Sequence, residues 1–320
     1  MISIWQCVEN TIYLSSLIHH NIYIYFINIY NMFHHSVVRI EVNSIKYNWS
    51  HPYKHHCHVS ESGSGTIIDK KGHILTCSHV VENATSIRIT IGNDADHKYK
   101  AVIVSCCPEE DLAVIRCDAL LTNKNAVPMK LGKSDKLKIT DTVMAVGYPL
   151  SQLMPTVTQG IIGGILNNRF QLDALINPGN SGGALMNSKH ELIGVIDSVV
   201  FHRGGAGTPI SRAIPLTTFL PMKDMLLSGK HLLIHAPDLG IVYARNSNAA
   251  IQEYYGKSKE GAIVRYVYNL SPFNPGKIHE KEIITSFNDL PVSNTGSCVV
   301  QGVSQTMNHI LSRSFWGDTV

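Results

Sequence analysis

Short apolar segments recur along the chain up to residue 215, and turns rich in Gly, Asn and Asp separate them. Apolar and polar residues alternate within these segments, which include 36–42, 86–91, 101–105, 142–146 and 192–200. No long amphipathic helix is predicted before residue 215, where a helix over 215–227 begins at a proline. Many short strands at regular spacing indicate a β-sandwich or a β-barrel rather than alternating strands and helices.

The composition is that of a globular protein without a strong charge bias. The chain has 320 residues, which is long enough for two domains with hydrophobic cores. Hydrophobic residues make up 44% and charged residues 16%, so the chain is not of the disordered class. The net charge of +3 is too small to indicate a nucleic-acid partner. The odd count of seven cysteines, with Cys106 and Cys107 adjacent, argues against a disulfide framework and is compatible with an intracellular compartment.

A serine lies between glycines in segment 177–183, which reads Asn-Pro-Gly-Asn-Ser-Gly-Gly. Glycine adopts backbone conformations closed to other residues, so successive N–H groups can point at one spot. Such a spot holds a developing oxyanion. We therefore predict an oxyanion hole along Gly179, Asn180 and Ser181, with the amides of Gly179 and Ser181 as donors and Ser181 Oγ as the attacking atom.

A serine nucleophile needs a base, and the base needs an orienting group. His79 follows the apolar, strand-like run 72–78, and Asp111 opens the apolar segment 112–116. The chain order His, Asp, Ser is one of several orders that reach the same geometry. We expect His79 to take the Ser181 proton and return it to the leaving amine, while Asp111 holds the His79 tautomer. This chemistry requires no metal and no organic cofactor.

Six segments in order resemble the HtrA (DegP-like) family of trypsin-fold serine proteases, namely 63–68, 74–81, 111–114, 146–149, 173–183 and 213–215. The resemblance implies an all-β, chymotrypsin-like fold of two six-stranded antiparallel barrels, with His79 and Asp111 in the first and Ser181 in the second. It also implies a serine endopeptidase that cleaves unfolded or misfolded polypeptide through an acyl-enzyme. The alternative is a catalytically silent chaperone or a peptide-binding adaptor.

The resemblance also indicates how substrate would bind. Apolar Leu175 and Ile176 fit a pocket for small or medium aliphatic side chains. The substrate is expected to lie as an extended strand along Ile210, Ser211, Arg212 and Ala213. Arg212 stands where the family usually has Phe. It either points into the cleft and shifts the preference toward acidic or polar residues, or points outward.

The resemblance divides the chain into a hydrophobic extension (1–35), a protease domain (36–228) and a small PDZ-like β/α domain (229–320). PDZ domains add a peptide as a strand and hold its terminal carboxylate in backbone amides. Leu239, Gly240 and Ile241 would form that carboxylate loop. The match is looser here, because 279–282 reads His-Glu-Lys-Glu where the family usually has Gly-Asp. Whether this domain is complete and binds C-terminal peptides is left open.

The N-terminal extension has three interpretations. Residues 10–38 contain no Asp, Glu, Lys or Arg, which suits a membrane anchor or targeting segment, although no basic start precedes Glu9. The family's use of aromatic residues near this end suggests a homotrimer contact instead. The third interpretation is an extension upstream of a start at Met32. The compartment stays unknown, and the His- and Cys-rich stretch 51–58 is interpreted as a surface loop rather than a zinc site.

Overall fold

The computed structural model describes residues 33–46, 50–51, 53, 57–92, 96–166, 168–200, 210–254, 260–273, 276–300 and 302–311. Most of the N-terminal extension, and histidines 55 and 56 of the His-rich stretch, lie outside these residues. Phe33, an aromatic residue of the extension, is 2% exposed and packs in the core of its own chain. No helix in the described part is long and apolar enough to cross a membrane.

Residues 37–116 form a closed antiparallel barrel of six strands, paired in the order β1-β2-β3-β6-β5-β4. Its strands are β1 (Val37–Lys46), β2 (Cys57–Ile67), β3 (His73–Thr76), β4 (Ala84–Ile91), β5 (Tyr99–Cys107) and β6 (Leu112–Arg116). Val38, Ile40 and Val42 alternate along β1 and pack inside the barrel with Ile74 and Ile115. A short helix α1 (Ser78–Val81) follows β3, and a 3-10 turn (Asp118–Leu121) follows β6.

A second closed barrel of six strands follows, in the order β10-β11-β12-β9-β8-β7. Its strands are β7 (Thr142–Gly147), β8 (Thr156–Leu166), β9 (Arg169–Leu172), β10 (Ala184–Asn187), β11 (Leu192–Val200) and β12 (Ile210–Pro215). Val143, Phe170 and Ile193 lie in its core. The predicted pair of six-stranded barrels is therefore confirmed.

A third core cluster joins the two barrels. It contains Leu75 and Leu112 from the first barrel and Ala184 and Ile214 from the second. Helix α2 (Leu216–Ser228) packs Phe219 into the same cluster and ends at Gly229, whose φ of 63° is the left-handed conformation of a helix C-cap. The observed helix agrees with the predicted 215–227 to within one residue at each end.

The chain after α2 runs along the first barrel before it enters a smaller unit. Cys106 of β5 donates its amide to Leu232 O (2.7 Å) and accepts from the amide of Ile234 (2.8 Å). The smaller unit comprises β13 (Ile241–Ala244), α3 (Ala249–Tyr254), β14 (Ala262–Val267), β15 (Ile283–Ile284), β16 (Ser286–Phe287), β17 (Leu290–Pro291), β18 (Ser297–Val300), β19 (Val303–Thr306) and α4 (Met307–Leu311). Leu239, Val264 and Met307 lie in its separate core. The predicted small β/α unit is thus present.

Candidate active site

His79 and Asp111 meet at the end of the first barrel. His79 lies on α1, directly after β3, and Asp111 lies directly before β6 with a φ of 55°. The His79 Nδ1 to Asp111 Oδ2 distance is 2.7 Å, and the His79 backbone N–H donates to Asp111 Oδ1 at 2.9 Å. Because both carboxylate oxygens are engaged by one residue, the imidazole is held with Nδ1 toward the acid, which leaves Nε2 for proton transfer.

Asp111 also determines the acid–base behaviour of His79. The hydrogen bond that His79 donates to the Asp111 carboxylate raises the pKa of His79 above its ordinary 6.5, although burial works against this rise. The negative charges of Asp111, Asp197 and Glu82 add to it. A general base must be able to hold the proton that it receives. The Asp111 carboxylate stabilises the protonated imidazole, so His79 can act in this way.

The loop that carries Ser181 connects β9 to β10. Gly179 and Gly182 have positive φ values of 97° and 84°, and a side chain at Gly182 would collide with the first barrel. Neighbouring amides are used inside the protein, since Asn180 N donates to Asn177 O and Gly182 N donates to Ile196 O. Among the described residues, the amides of Gly179 and Ser181 have no recorded acceptor. The two predicted oxyanion donors are therefore unused.

The Ser181 hydroxyl does not make the predicted hydrogen bond to His79 among the described residues. Ser181 Oγ donates instead to the backbone O of Asp197 on β11, at 2.7 Å. The structure thus joins His79 to Asp111 and joins Ser181 to β11. One neutral hydrogen bond contributes only about 0.5–1.5 kcal/mol net, so a rotation about the Ser181 Cα–Cβ bond is a small step.

Ser64 of β2 fixes the serine loop against the first barrel. Its amide donates to Ser181 O at 2.8 Å, and its hydroxyl donates to Gly179 O at 2.7 Å and accepts from Tyr148 N at 2.8 Å. Holding Gly179 O fixes the plane of the peptide between Gly179 and Asn180. Ser64 lies in segment 63–68, one of those that resemble the family, but nothing local to the sequence indicated a contact with a loop more than a hundred residues away.

The predicted substrate-binding residues differ in their exposure. Leu175 is 71% exposed, whereas Ile176 is 6% exposed and packs with Ala213 in the core of the second barrel. Buried and partly exposed residues alternate on β12, so Arg212 faces away from its buried neighbours Ser211 and Ala213. The side of β12 on which Arg212 lies is therefore opposite to the barrel core, and the role of Arg212 in specificity stays a prediction.

The predicted carboxylate loop of the smaller unit contains an internal carboxylate. The amide of Gly240 donates to Asp238 Oδ1 at 2.6 Å, and Ile241 is paired with Val267 in the sheet. The side-chain amide of Asn308 donates to the other carboxylate oxygen of Asp238, Oδ2, at 3.1 Å. A ligand carboxylate that used the Gly240 amide would therefore have to displace Asp238.

Cys77 is a buried residue next to the pair of His79 and Asp111. The ligand atoms of Cys77, His79 and Asp111 lie within 4.8 Å of one another. Burial raises the pKa of the Cys77 thiol well above its ordinary value, and its Sγ donates to Ile196 O at 3.2 Å. The Cys77 thiol therefore connects the residue before α1 to strand β11 of the second barrel.

Two six-stranded barrels with His79, Asp111 and Ser181 at their junction define a trypsin-like fold, and comparison with known proteins agrees. The model of the trypsin-like peptidase domain family matches residues 63–195. A probable periplasmic serine endoprotease DegP-like of Pseudomonas putida is 35% identical over 240 residues, which are 72% of this chain and 48% of that protein. The periplasmic serine endoprotease DegP of Escherichia coli K12 is 33% identical over 241 residues, which are 72% and 49% of the two chains.

The chain spans about half the length of these curated relatives. Among solved structures, the HtrA-type protease AlgW with a decapeptide has a TM-score of 0.65 and 28% identity, over 81% of this chain and 84% of that chain. AlgW with a tripeptide has a TM-score of 0.64 and 25% identity, over 84% and 91%. The chain belongs to the HtrA-type proteases of the trypsin fold.

The contacts of Ser64 generate a prediction about the serine loop. Replacing Ser64 with Ala removes the donor to Gly179 O and the hydroxyl that accepts from the Tyr148 amide, so two hydrogen bonds are lost and the free energy of unfolding falls by about 1–3 kcal/mol. Amide hydrogen exchange over 177–183 becomes faster. Ser60→Ala, at an exposed position of the same strand, serves as the control and leaves both quantities unchanged. Exchange over 177–183 as slow in Ser64→Ala as in the wild type would contradict this account.

Proposed function

We propose that the protein is a serine endopeptidase that cleaves polypeptide through an acyl-enzyme. One observation carries the proposal: the 2.7 Å hydrogen bond between His79 and Asp111 lies beside a glycine-rich serine loop in which the amides of Gly179 and Ser181 have no backbone acceptor among the residues that the structure describes. The names of the relatives support it, because they are serine endoproteases. The same names do not favour the alternative of a silent scaffold or adaptor.

In the proposed mechanism the Ser181 hydroxyl leaves Asp197 O and donates to His79 Nε2. Ser181 Oγ then attacks the substrate carbonyl, and the proton moves to His79 Nε2, while Asp111 stabilises the imidazolium. The amides of Gly179 and Ser181 donate to the resulting oxyanion. His79 next protonates the leaving amine, and a water molecule activated by the same imidazole hydrolyses the acyl-enzyme.

The proposed substrates are unfolded or misfolded polypeptides, as in protein quality control. A substrate in extended conformation would lie along residues 210–213 and place an aliphatic side chain near Leu175 and Ile176. The solved AlgW structures contain peptides, which supports peptide recognition by this fold. A hydrophobic pocket discriminates by only about 1–3 kcal/mol per methylene, so broad specificity is expected.

We also propose two kinds of partner besides the substrate, namely C-terminal peptides and further copies of this chain. C-terminal peptides would bind at Leu239, Gly240 and Ile241 after displacement of Asp238, and three copies of the chain would form a homotrimer. The curated relatives are named periplasmic proteins. The described cysteines of this chain are buried free thiols, namely Cys77, Cys106, Cys107, Cys117 and Cys298.

Covalent labelling tests the proposed nucleophile. A fluorophosphonate probe is expected to modify the folded wild type at a single site, which peptide mass spectrometry locates at Ser181, because an activated serine hydroxyl attacks such probes. The Ser181→Ala variant loses the label. Ser86→Ala, which changes an exposed serine of β4, keeps it. A folded wild-type protein that takes up no label, or takes it up elsewhere, would refute the assignment.

The pH dependence tests the proposed base. Since Asp111 raises the pKa of His79 and the base must be neutral, kcat/KM is expected to be low at acid pH and to rise through a pKa above 6.5. Asp111→Asn removes the stabilising charge, so the acid limb moves to lower pH. Its kcat falls by about 10⁴-fold, because the tautomer is no longer held. Asp118→Asn changes an exposed acid of the same barrel and should alter neither value. An acid limb that stays in place in Asp111→Asn would count against the pairing.

A further inference from the structure

A partly buried arginine connects the two barrels beside the candidate active site. Arg169 is the first residue of β9 in the second barrel, and its side chain is 16% exposed. Its Nη2 donates to the backbone O of Glu110 at 3.1 Å, and its Nη1 lies 3.5 Å from Glu110 Oε2. Its Nε lies 3.3 Å from Asp197 Oδ2. One guanidinium therefore binds the loop between β5 and β6 and the strand β11 at the same time.

Each segment that Arg169 binds carries one part of the proposed chemistry. Glu110 directly precedes Asp111, so the bond to Glu110 O holds the loop that presents the Asp111 carboxylate to His79. Asp197 accepts the Ser181 hydroxyl with its backbone O. It lies where the pairing of β11 and β12 changes register, between Ile196 and Val199, so β12 does not fix it in the regular ladder.

The charges at this junction require a cation. The side chains of Glu110, Asp111 and Asp197 are 11%, 21% and 15% exposed, so three acids share a poorly solvated region. Buried like charges repel, and an uncompensated buried carboxylate is costly. The planar guanidinium of Arg169 donates in several directions at once, which a lysine ammonium on a flexible stem does not reproduce.

We propose that Arg169 is a positioning residue of the active site, which ties the Asp111 loop of the first barrel to the Ser181 acceptor strand of the second and balances the charge around His79. This inference rests on the proposed endopeptidase function. It assigns Arg169 a task that the sequence pattern did not indicate. Arg169 itself touches neither the reacting serine nor the imidazole.

The proposed charge balance predicts in which direction the pKa of His79 changes when one of these charges is removed. Asp111, Asp197 and Glu82 are the acids whose charges act on His79, and Arg169 faces Glu110 and Asp197. Removing the Arg169 cation makes this region more negative, so the protonated imidazole gains stability and the pKa of His79 rises. Glu110 is not one of those acids, but removing its charge leaves the Arg169 cation to balance Asp197 alone, which acts in the opposite direction. Replacing a residue that only supported packing would leave the pKa of His79 unchanged.

The test compares Arg169→Met, Arg169→Lys and Glu110→Gln with Arg116→Met, which breaks an exposed ion pair with Asp118 on the first barrel. The pKa of His79 is measured by NMR titration of its imidazole in a Ser181→Ala background, and the resonance is assigned by its loss in His79→Gln. Steady-state cleavage of an unfolded casein substrate by the full chain gives kcat and KM in the Ser181 background.

In Arg169→Met we expect the His79 pKa to rise by about 0.5 unit or more. We expect kcat to fall by roughly 10–100-fold, because small misplacements of catalytic groups are costly, while KM changes by less than about threefold. Arg169→Lys keeps the charge, so its His79 pKa returns to the wild-type value while kcat recovers only in part. Glu110→Gln lowers the His79 pKa.

The inference is overturned if Arg169→Met matches Arg116→Met in both the His79 pKa and the kcat of the folded protein, even when its melting temperature is lower. If Arg169→Met does not fold, Arg169→Lys and Glu110→Gln decide, and wild-type values of kcat and pKa in both would overturn it. The NMR titration needs no turnover. A wild type that fails to cleave casein or to react with a fluorophosphonate therefore refutes the proposed function, while the titration still decides on Arg169.

Discussion

The docking of the serine loop onto the first barrel is the interaction on which the rest of the site depends. His79 and Asp111 belong to one barrel and Ser181 to the other. The position of Ser181 relative to His79 therefore depends on how the two barrels pack together. The hydrogen bonds of Ser64 to Gly179 O and Ser181 O fix the loop on one side. The shared apolar cluster around α2 excludes water from the same junction. Fold and chemistry therefore depend on the same contact between barrels.

The hydrogen bond from Ser181 to Asp197 O gives this junction a resting arrangement. In it the serine proton is held by a backbone carbonyl, and within the described part of the chain the amides of Gly179 and Ser181 donate to no backbone acceptor. Substrate binding would have to favour the rotamer directed at the imidazole. Because a single neutral hydrogen bond contributes only about 1 kcal/mol, the contacts of an extended peptide are sufficient to change that preference.

Local patterns in the sequence predicted much of this molecule, and long-range contacts account for what they missed. Alternating apolar residues predicted strands, and a proline predicted the start of α2, because these signals act within a few residues. The glycines around Ser181 and the strand before His79 made these two residues candidates for the active site, which stays a prediction. The role of Arg169 was not predictable, since an arginine that opens a short strand usually faces solvent. Its partners Glu110 and Asp197 are distant in sequence, and only the closed barrels bring them together.

The central claim is that Ser181 Oγ attacks one carbonyl carbon while His79 takes its proton and the amides of Gly179 and Ser181 donate to the oxygen of the same carbonyl. A crystal structure of the protein reacted with a peptidyl boronate tests it most directly, because the tetrahedral boron imitates the addition intermediate. We expect a bond from boron to Ser181 Oγ, one boron-bound oxygen within hydrogen-bonding distance of both amides, and a second near His79 Nε2. The Asp197 carbonyl would then have lost its serine donor. A structure in which Ser181 stays bound to Asp197 O, or in which the boron oxygens lie away from both amides, would contradict the account.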